Sequence, residues 1–186
     1  MLYDTILCKM VTRPQREGVC FDKNPSDNAL SSHGFLQITD PGCPDYDPAW
    51  QTIRRGGEVQ GDVYVKLYDV LERDIEDVRA EKRAQMAAAK NAARDAGFEI
   101  DGVLWDSDYH ARIAYAEVAQ IIASDPTYTA AWKASEGVWV TMDAATLALI
   151  QAAGRTHIET CFVTYATRLA EIDAATTAEN VAAITW

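Results

Sequence analysis

"AGFEIDGVLWDSD", residues 96–108, sits where an alanine-rich helical run gives way to something else. Asp101-Gly102 is a two-residue turn signal, because a type I′ hairpin turn needs positive φ at both central positions. With that turn, Ile100 faces Val103, Phe98 faces Trp105 and Glu99 faces Leu104. Side chains alternate along a strand, so Phe98, Ile100, Val103 and Trp105 share one face and pack on the flanking helices. The acids of the stretch have local work to do. Asp101 belongs to the turn, and Asp106, Ser107 and Asp108 stand where the next helix starts, where an oxygen caps free N–H groups and a negative charge suits the helix dipole. Turn and cap chemistry explains these acids better than a metal or catalytic cluster does.

Long helices are expected on either side. Upstream, "DVLERDIEDVRAEKRAQMAAAKNAARDAG" contains no proline and no glycine before Gly97. Its six acids balance six bases between Leu71 and Ala96, and pairs such as Glu76 with Arg79 describe a solvated face. The line Leu71, Ile75, Val78, Lys82, Gln85, Ala89, Ala92, Ala96 recurs every three or four residues. Its alanine half buries little area but admits a close partner helix. Downstream, a helix is expected over 109–124, stopped by Asp125-Pro126. A strand follows at "GVWVTM", then a long helix with Asp143 or Thr141 as its cap. The apolar positions of that helix include Leu147, Ile150, Gly154, Ile158, Cys161, Tyr165, Leu169 and Ile172. The two long helices are expected to pack together, within one chain or between copies, with Gly154 at the closest approach. Thr177 caps a last short helix with Asn180 at its third position, and Trp186 folds back or enters an interface.

Residues 1–70 read differently. "DTILCKMV", "GVCF" and "FLQIT" are short strand candidates, "SDNALSSHG" and "DPGCPDYDP" read as loop and turns, and "VYVKLYDV" alternates. Such a segment is expected to lie against other polypeptides. The fold class expected is therefore α+β: a β/loop-rich docking segment at 1–70, then a mainly helical domain at 71–186 with a hairpin between long helices.

Composition limits the function. Of 186 residues, 28 are acidic and 17 are Lys or Arg, for a net charge of −11. Residues 97–186 alone hold 12 acids against four bases. That opposes binding to a phosphate backbone, so no nucleic-acid partner is expected. Four widely spaced cysteines (Cys8, Cys20, Cys43, Cys161) offer no zinc-knuckle spacing. No secretory leader is read at "MLYDTILCKM", and no apolar run nears the ~20 residues a membrane span needs. A soluble protein made in a reducing cytoplasm is expected.

His157 and Cys161 lie one helical turn apart, so their side chains could meet, but Cys161 falls on the apolar stripe and no third group is evident. His33 and His110 have no partner spacing for a metal. Asp45/Asp47 and Asp106/Asp108 are loop pairs without a cleft to join them. Tyr46, Trp50, Tyr128, Trp132 and Trp139 could meet a receptor sugar, although Trp105 and Trp139 occupy strand positions that suit a core. No catalytic residue, cofactor or metal is expected, and no enzymatic activity.

The order of pieces carries a resemblance. "VRAEKRAQMAAAKNAARDAGF", "GVLWDSDYHARI", "WVTMDAATLALI" and "AEIDAATTAENVAAITW" together resemble a domain of unknown function found in tail-fibre and baseplate-region proteins of tailed bacteriophages. The resemblance runs from Leu71 to Trp186. "YDPAWQTIRRGGEVQGDVYVKLYDV" is similar to the segment preceding that domain, extending it to about residues 46–186. Two stretches depart from the pattern: "DSDYHARI" after the hairpin and "ASEG" before the strand. The family has no established catalytic residues to carry over. The resemblance implies a structural component of a phage tail, in the virion, mediating protein–protein assembly. Its partners would be other tail or baseplate proteins, further copies of the chain and a host surface receptor. A tail-fibre assembly chaperone and a receptor-binding tip are the alternatives.

Overall fold

The computed structural model describes residues 1–15, 25–134 and 137–186. The strand expected at 18–21, with Cys20, lies outside the described residues. The chain divides into two compact units, Met1–Arg73 and Asp74–Trp186.

The first unit contains β1 (Leu2–Asp4), β2 (Lys9–Val11), α1 (Asp27–Ser31), β3 (Phe35–Thr39), β4 (Gln51–Gln60) and β5 (Val63–Glu72). The five strands form one sheet in the order β2-β1-β3-β5-β4. Every pairing is antiparallel except β3 with β5, where Gln37, Ile38 and Thr39 run alongside Val63, Tyr64 and Val65. β4 and β5 pair over their full ten residues, Gln51 opposite Glu72 through Gln60 opposite Val63. Leu2, Leu30 and Phe35 are buried together, with Val11 beside them. Tyr3 and Tyr64 stack with ring centres 3.8 Å apart. The Tyr64 ring also covers Gly57 on the neighbouring strand, so a Cβ there would clash with its hydroxyl edge. A glycine that would weaken a strand is shielded by a cross-strand aromatic. Asp4 is buried, and its carboxylate accepts from the N–H groups of Ile6 and Leu7 at 3.0 and 2.9 Å.

The second unit contains α2 (Ile75–Asp95), β6 (Phe98–Ile100), β7 (Val103–Trp105), α3 (Tyr109–Ser124), β8 (Ala130–Lys133), β9 (Trp139–Met142), α4 (Ala144–Ala174) and α5 (Ala178–Ala182). Each helix opens on a side-chain cap. Asp74 accepts from Glu76 N, Asp108 from Ala111 N, Asp143 from Thr146 N and Thr177 from Asn180 N. Such caps satisfy N–H groups that have no partner within the helix. β6 and β7 pair with Phe98 opposite Trp105 and Ile100 opposite Val103. Trp105, Tyr115, Val118, Met142, Leu147 and Ile150 form the core here, with Phe98, Ile100 and Val103 packed at its edge.

α2 lies along α4 within the chain, and α5 packs on α2. The inward face of α2 carries Val78, Lys82 and Met86, while Gln85, Ala92 and Ala96 are exposed. Two basic side chains close the far ends of other helices. Arg79 donates to Ala175 O at 2.7 Å and Lys82 to Ala182 O at 2.7 Å, where α4 and α5 leave carbonyls unpaired. Gly154 does not mark the approach of α2. A Cβ there would meet the Phe98 ring at 3.2 Å, so the glycine makes room for the hairpin.

The expected fold class is corrected. The protein is a mixed α/β chain with a five-stranded sheet, not a loop-rich segment followed by a mainly helical domain with one hairpin. β4, "QTIRRGGEVQ", carries two glycines and no clean alternation, so it does not read as a strand; ten residues of pairing with β5 make it one. Leu71 and Glu72 belong to β5, which delays α2 to Ile75. A second hairpin joins β8 to β9, and α1 forms inside the stretch that reads as loop.

Gly97 and Gly102 test the hairpin's attachment. Both have positive φ, +96° and +78°, but only at Gly97 would a Cβ strike a backbone atom, Trp105 O at 2.8 Å. Gly102→Ala is expected to cost about 1 kcal/mol from backbone conformation alone. Gly97→Ala is expected to cost roughly 2–3 kcal/mol, since the strand must also move. Urea unfolding of the two variants measures the difference.

Candidate functional site

The polar groups of the second unit converge where α2 ends. A helix leaves its last carbonyls without intrahelical donors. Here Ser107, itself buried, donates its hydroxyl to Arg94 O at 2.5 Å and accepts from Gly97 N at 2.9 Å. His157 on α4 brings Nε2 to 3.1 Å from Ala93 O and 3.2 Å from Arg94 O. Carbonyl oxygens only accept, so Nε2 carries the proton. Asp95 is gripped by Arg94 through two contacts of 2.8 Å and by Arg112 at 2.9 Å. Arg112 also donates to Ser107 O. The hydrogen bonds from Arg94 and then Arg112 hold the Asp95 carboxyl well below the usual carboxylate range. Nearby, Tyr115 donates to Asp106 O at 3.1 Å; burial, then the charges of Asp106 and Asp108, push its hydroxyl up to about 12.

This arrangement fixes backbone rather than activating a reagent. A nucleophilic serine gives its proton to a base, whereas the Ser107 proton lies on a peptide carbonyl. A general base needs an available lone pair near neutral pH, whereas Asp95 is held ionised between two guanidinium groups. Asp101 sits in the turn at φ +49°, and Asp108 caps α3.

The remaining candidates have surroundings of their own. The His157 ring points to the α2 carbonyls, and Cys161 is buried. His33 places Nδ1 2.9 Å from Ala29 O, and His110 meets the edge of Tyr109. Asp47 accepts from Ala49 N. Among the described residues no group of three or more His, Cys, Asp or Glu could hold a metal ion. In the first unit, Asp40 meets Lys66 Nζ at 2.5 Å and Tyr68 OH at 2.9 Å. The bond from Lys66 lowers the Asp40 carboxyl, and the bond to Asp40 raises the Tyr68 hydroxyl, the reverse of activation.

The aromatics divide unexpectedly. Trp105 is buried, Trp132 leans on Tyr115 with ring centres 5.5 Å apart, and Trp50 is half-buried. Trp139, whose strand position suggests a core residue, is 67% exposed. It borders an open hollow lined by Thr129, Ala131 and Thr141. Strand β9 turns Val140 and Met142 inward, and alternation leaves Trp139 outside. Nothing local in "GVWVTM" reveals which face is covered. A larger groove of about 580 Å³ runs between Phe98, Tyr115, Ile150 and Ile158, with Arg112, Arg155 and Glu159 at its walls. α4 also presents Leu149, Phe162 and Val163 to solvent.

The Asp95 node carries a pH dependence. Its folded value lies below the unfolded one of about 3.9, so ionised Asp95 favours folding above that pH, and the benefit fades as pH falls toward the lowered value. Asp95→Asn is therefore expected to lower the melting temperature most near neutrality. The gap from wild type should begin to narrow as pH falls below about 4, which thermal melts across pH 3–7 would show.

No curated protein and no solved structure matches the chain. A family model does match, over residues 77–185. That span runs from the third residue of α2 through both hairpins, α3, α4 and α5 to the penultimate residue, so the closed end of α2 and every element holding it fall inside one family unit. With more than half its length so matched, the chain belongs to the family described as Domain of unknown function (DUF4376).

Proposed function

We propose that the protein is a non-enzymatic structural component of a bacteriophage tail, at the fibre or baseplate, acting through protein–protein contacts. The observation that carries the assembly reading is the outer surface of α4. This 31-residue helix exposes Leu149 at 58% and Val163 at 67%, and has only Arg155 and Glu159 as Asp, Glu, Lys or Arg between Ala144 and Thr167. A helix that is apolar on both faces is ordinarily covered on both. The β4–β5 ribbon adds a ten-residue edge strand and exposed Val59, Leu67, Val70 and Leu71. The tail location rests on the ordered resemblance of "VRAEKRAQMAAAKNAARDAGF", "GVLWDSDYHARI" and "WVTMDAATLALI" to the tail-associated domain.

A receptor-binding tip is the second reading, favoured by exposed Trp139 beside its hollow, since an aromatic face can stack on a sugar ring. Peptide mass spectrometry of purified virions tests the first reading. Peptides from this chain in intact, washed particles at fixed ratio to known tail proteins are expected. Their presence in infected-cell lysate but absence from particles would favour an assembly chaperone instead. For the tip, Trp139→Ala should abolish binding of the purified protein to host cells while leaving its circular dichroism unchanged.

A further inference from the structure

The exposed line on α4 has a definite pattern. Leu149, Ala152, Thr156 and Thr160, continuing through Val163, Thr167 and Ala170, recur in steps of three and four residues. All seven are exposed and none is charged. They lie opposite the core-facing line of Leu147, Ile150, Cys161 and Ile172. The threonines do not make this face polar. Thr156 donates to Ala152 O at 3.2 Å, Thr160 to Thr156 O at 2.8 Å and Thr167 to Val163 O at 3.0 Å. With each hydroxyl proton used on its own helix, the face demands no polar partner.

Charge decides what fits there. Arg155 and Glu159 stand one turn apart on a single flank of the line, and neither forms an ion pair among the described residues. We propose that α4 pairs with α4 of a second copy, antiparallel, about a two-fold axis near Thr156. That axis places Leu149 opposite Val163 of the second copy. It also brings Arg155 within reach of Glu159 of the second copy, and the reverse, giving two equivalent ion pairs. A parallel pair puts the two charged flanks on opposite sides, where Arg155 meets no acid. Antiparallel helices also oppose their dipoles favourably. Small Ala152 and the threonines let the helices approach, while Leu149 and Val163 supply the burial. The inference does not depend on the tail location, and the experiment below reads only association.

Sedimentation equilibrium of the full chain is expected to show a monomer–dimer equilibrium. Val163→Glu should be monomeric with unchanged helical circular dichroism. Arg155→Glu and Glu159→Arg should each weaken dimerisation roughly tenfold by setting like charges opposite one another. The double variant Arg155→Glu/Glu159→Arg should recover it, because the exchanged charges again meet their opposites. A wild-type chain that stays monomeric at high concentration would overturn the proposal. So would a Val163→Glu protein that dimerises normally, or a double variant no better than the singles.

Discussion

The end of α2 is the point on which the second unit depends. A 21-residue helix must stop, reverse and deliver a hairpin onto a core, and it must do so without stranding its last carbonyls. Arg94 O is met by Ser107 from the far side of the hairpin and by His157 from α4. The Gly97 N–H is taken up by the same serine. One hydroxyl thus ties the entry and exit of the β6–β7 hairpin together, and one imidazole ties both to α4. Asp95 and Arg112 extend that connection to α3. Three helices and a hairpin are located by these few side chains.

The two units are stabilised differently. The second has a continuous apolar cluster, four side-chain caps and long-range hydrogen bonds from Arg79 and Lys82. The first buries a smaller cluster around Phe35 and relies on strand pairing, with its longest pairing, β4 with β5, reaching past β3. A two-stranded ribbon is marginal by itself, and its exposed Val59, Leu67 and Leu71 remain available for contact.

What could be read from the sequence was what local chemistry determines. The Asp-Gly turn and its cross-strand partners, the α3 boundaries, the Thr177 cap, and helix starts at α3 and α4 with the cap among two or three neighbouring residues all follow from short-range rules. What depends on distant partners was not legible. β4 is a strand because β5 lies beside it, and the parallel β3–β5 pairing leaves no mark in either segment. Lys82 sits on the inward face of α2 because a carbonyl a hundred residues away needs a donor. The exposure of Trp139 depends on which face of β8–β9 meets the core. The Ser107 node was half visible: its position near a helix start was clear, but its role in closing the preceding helix was not.

The bonds from α2 to Ala175 and Ala182 have a kinetic consequence. Arg79 and Lys82 find their acceptors 96 and 100 residues later, whereas the hairpin closes within its own short loop. Folding rates fall as contacts become more distant in sequence. The β6–β7 turn and the Ser107 bridge can therefore form early and survive as local structure. The inward face of α2, with Val78 and Met86, stays uncovered until the helices that follow are complete. During that interval the chain presents the apolar positions of one helix face to its surroundings, and a stalled or truncated product would keep them on display as a target for chaperones and proteases.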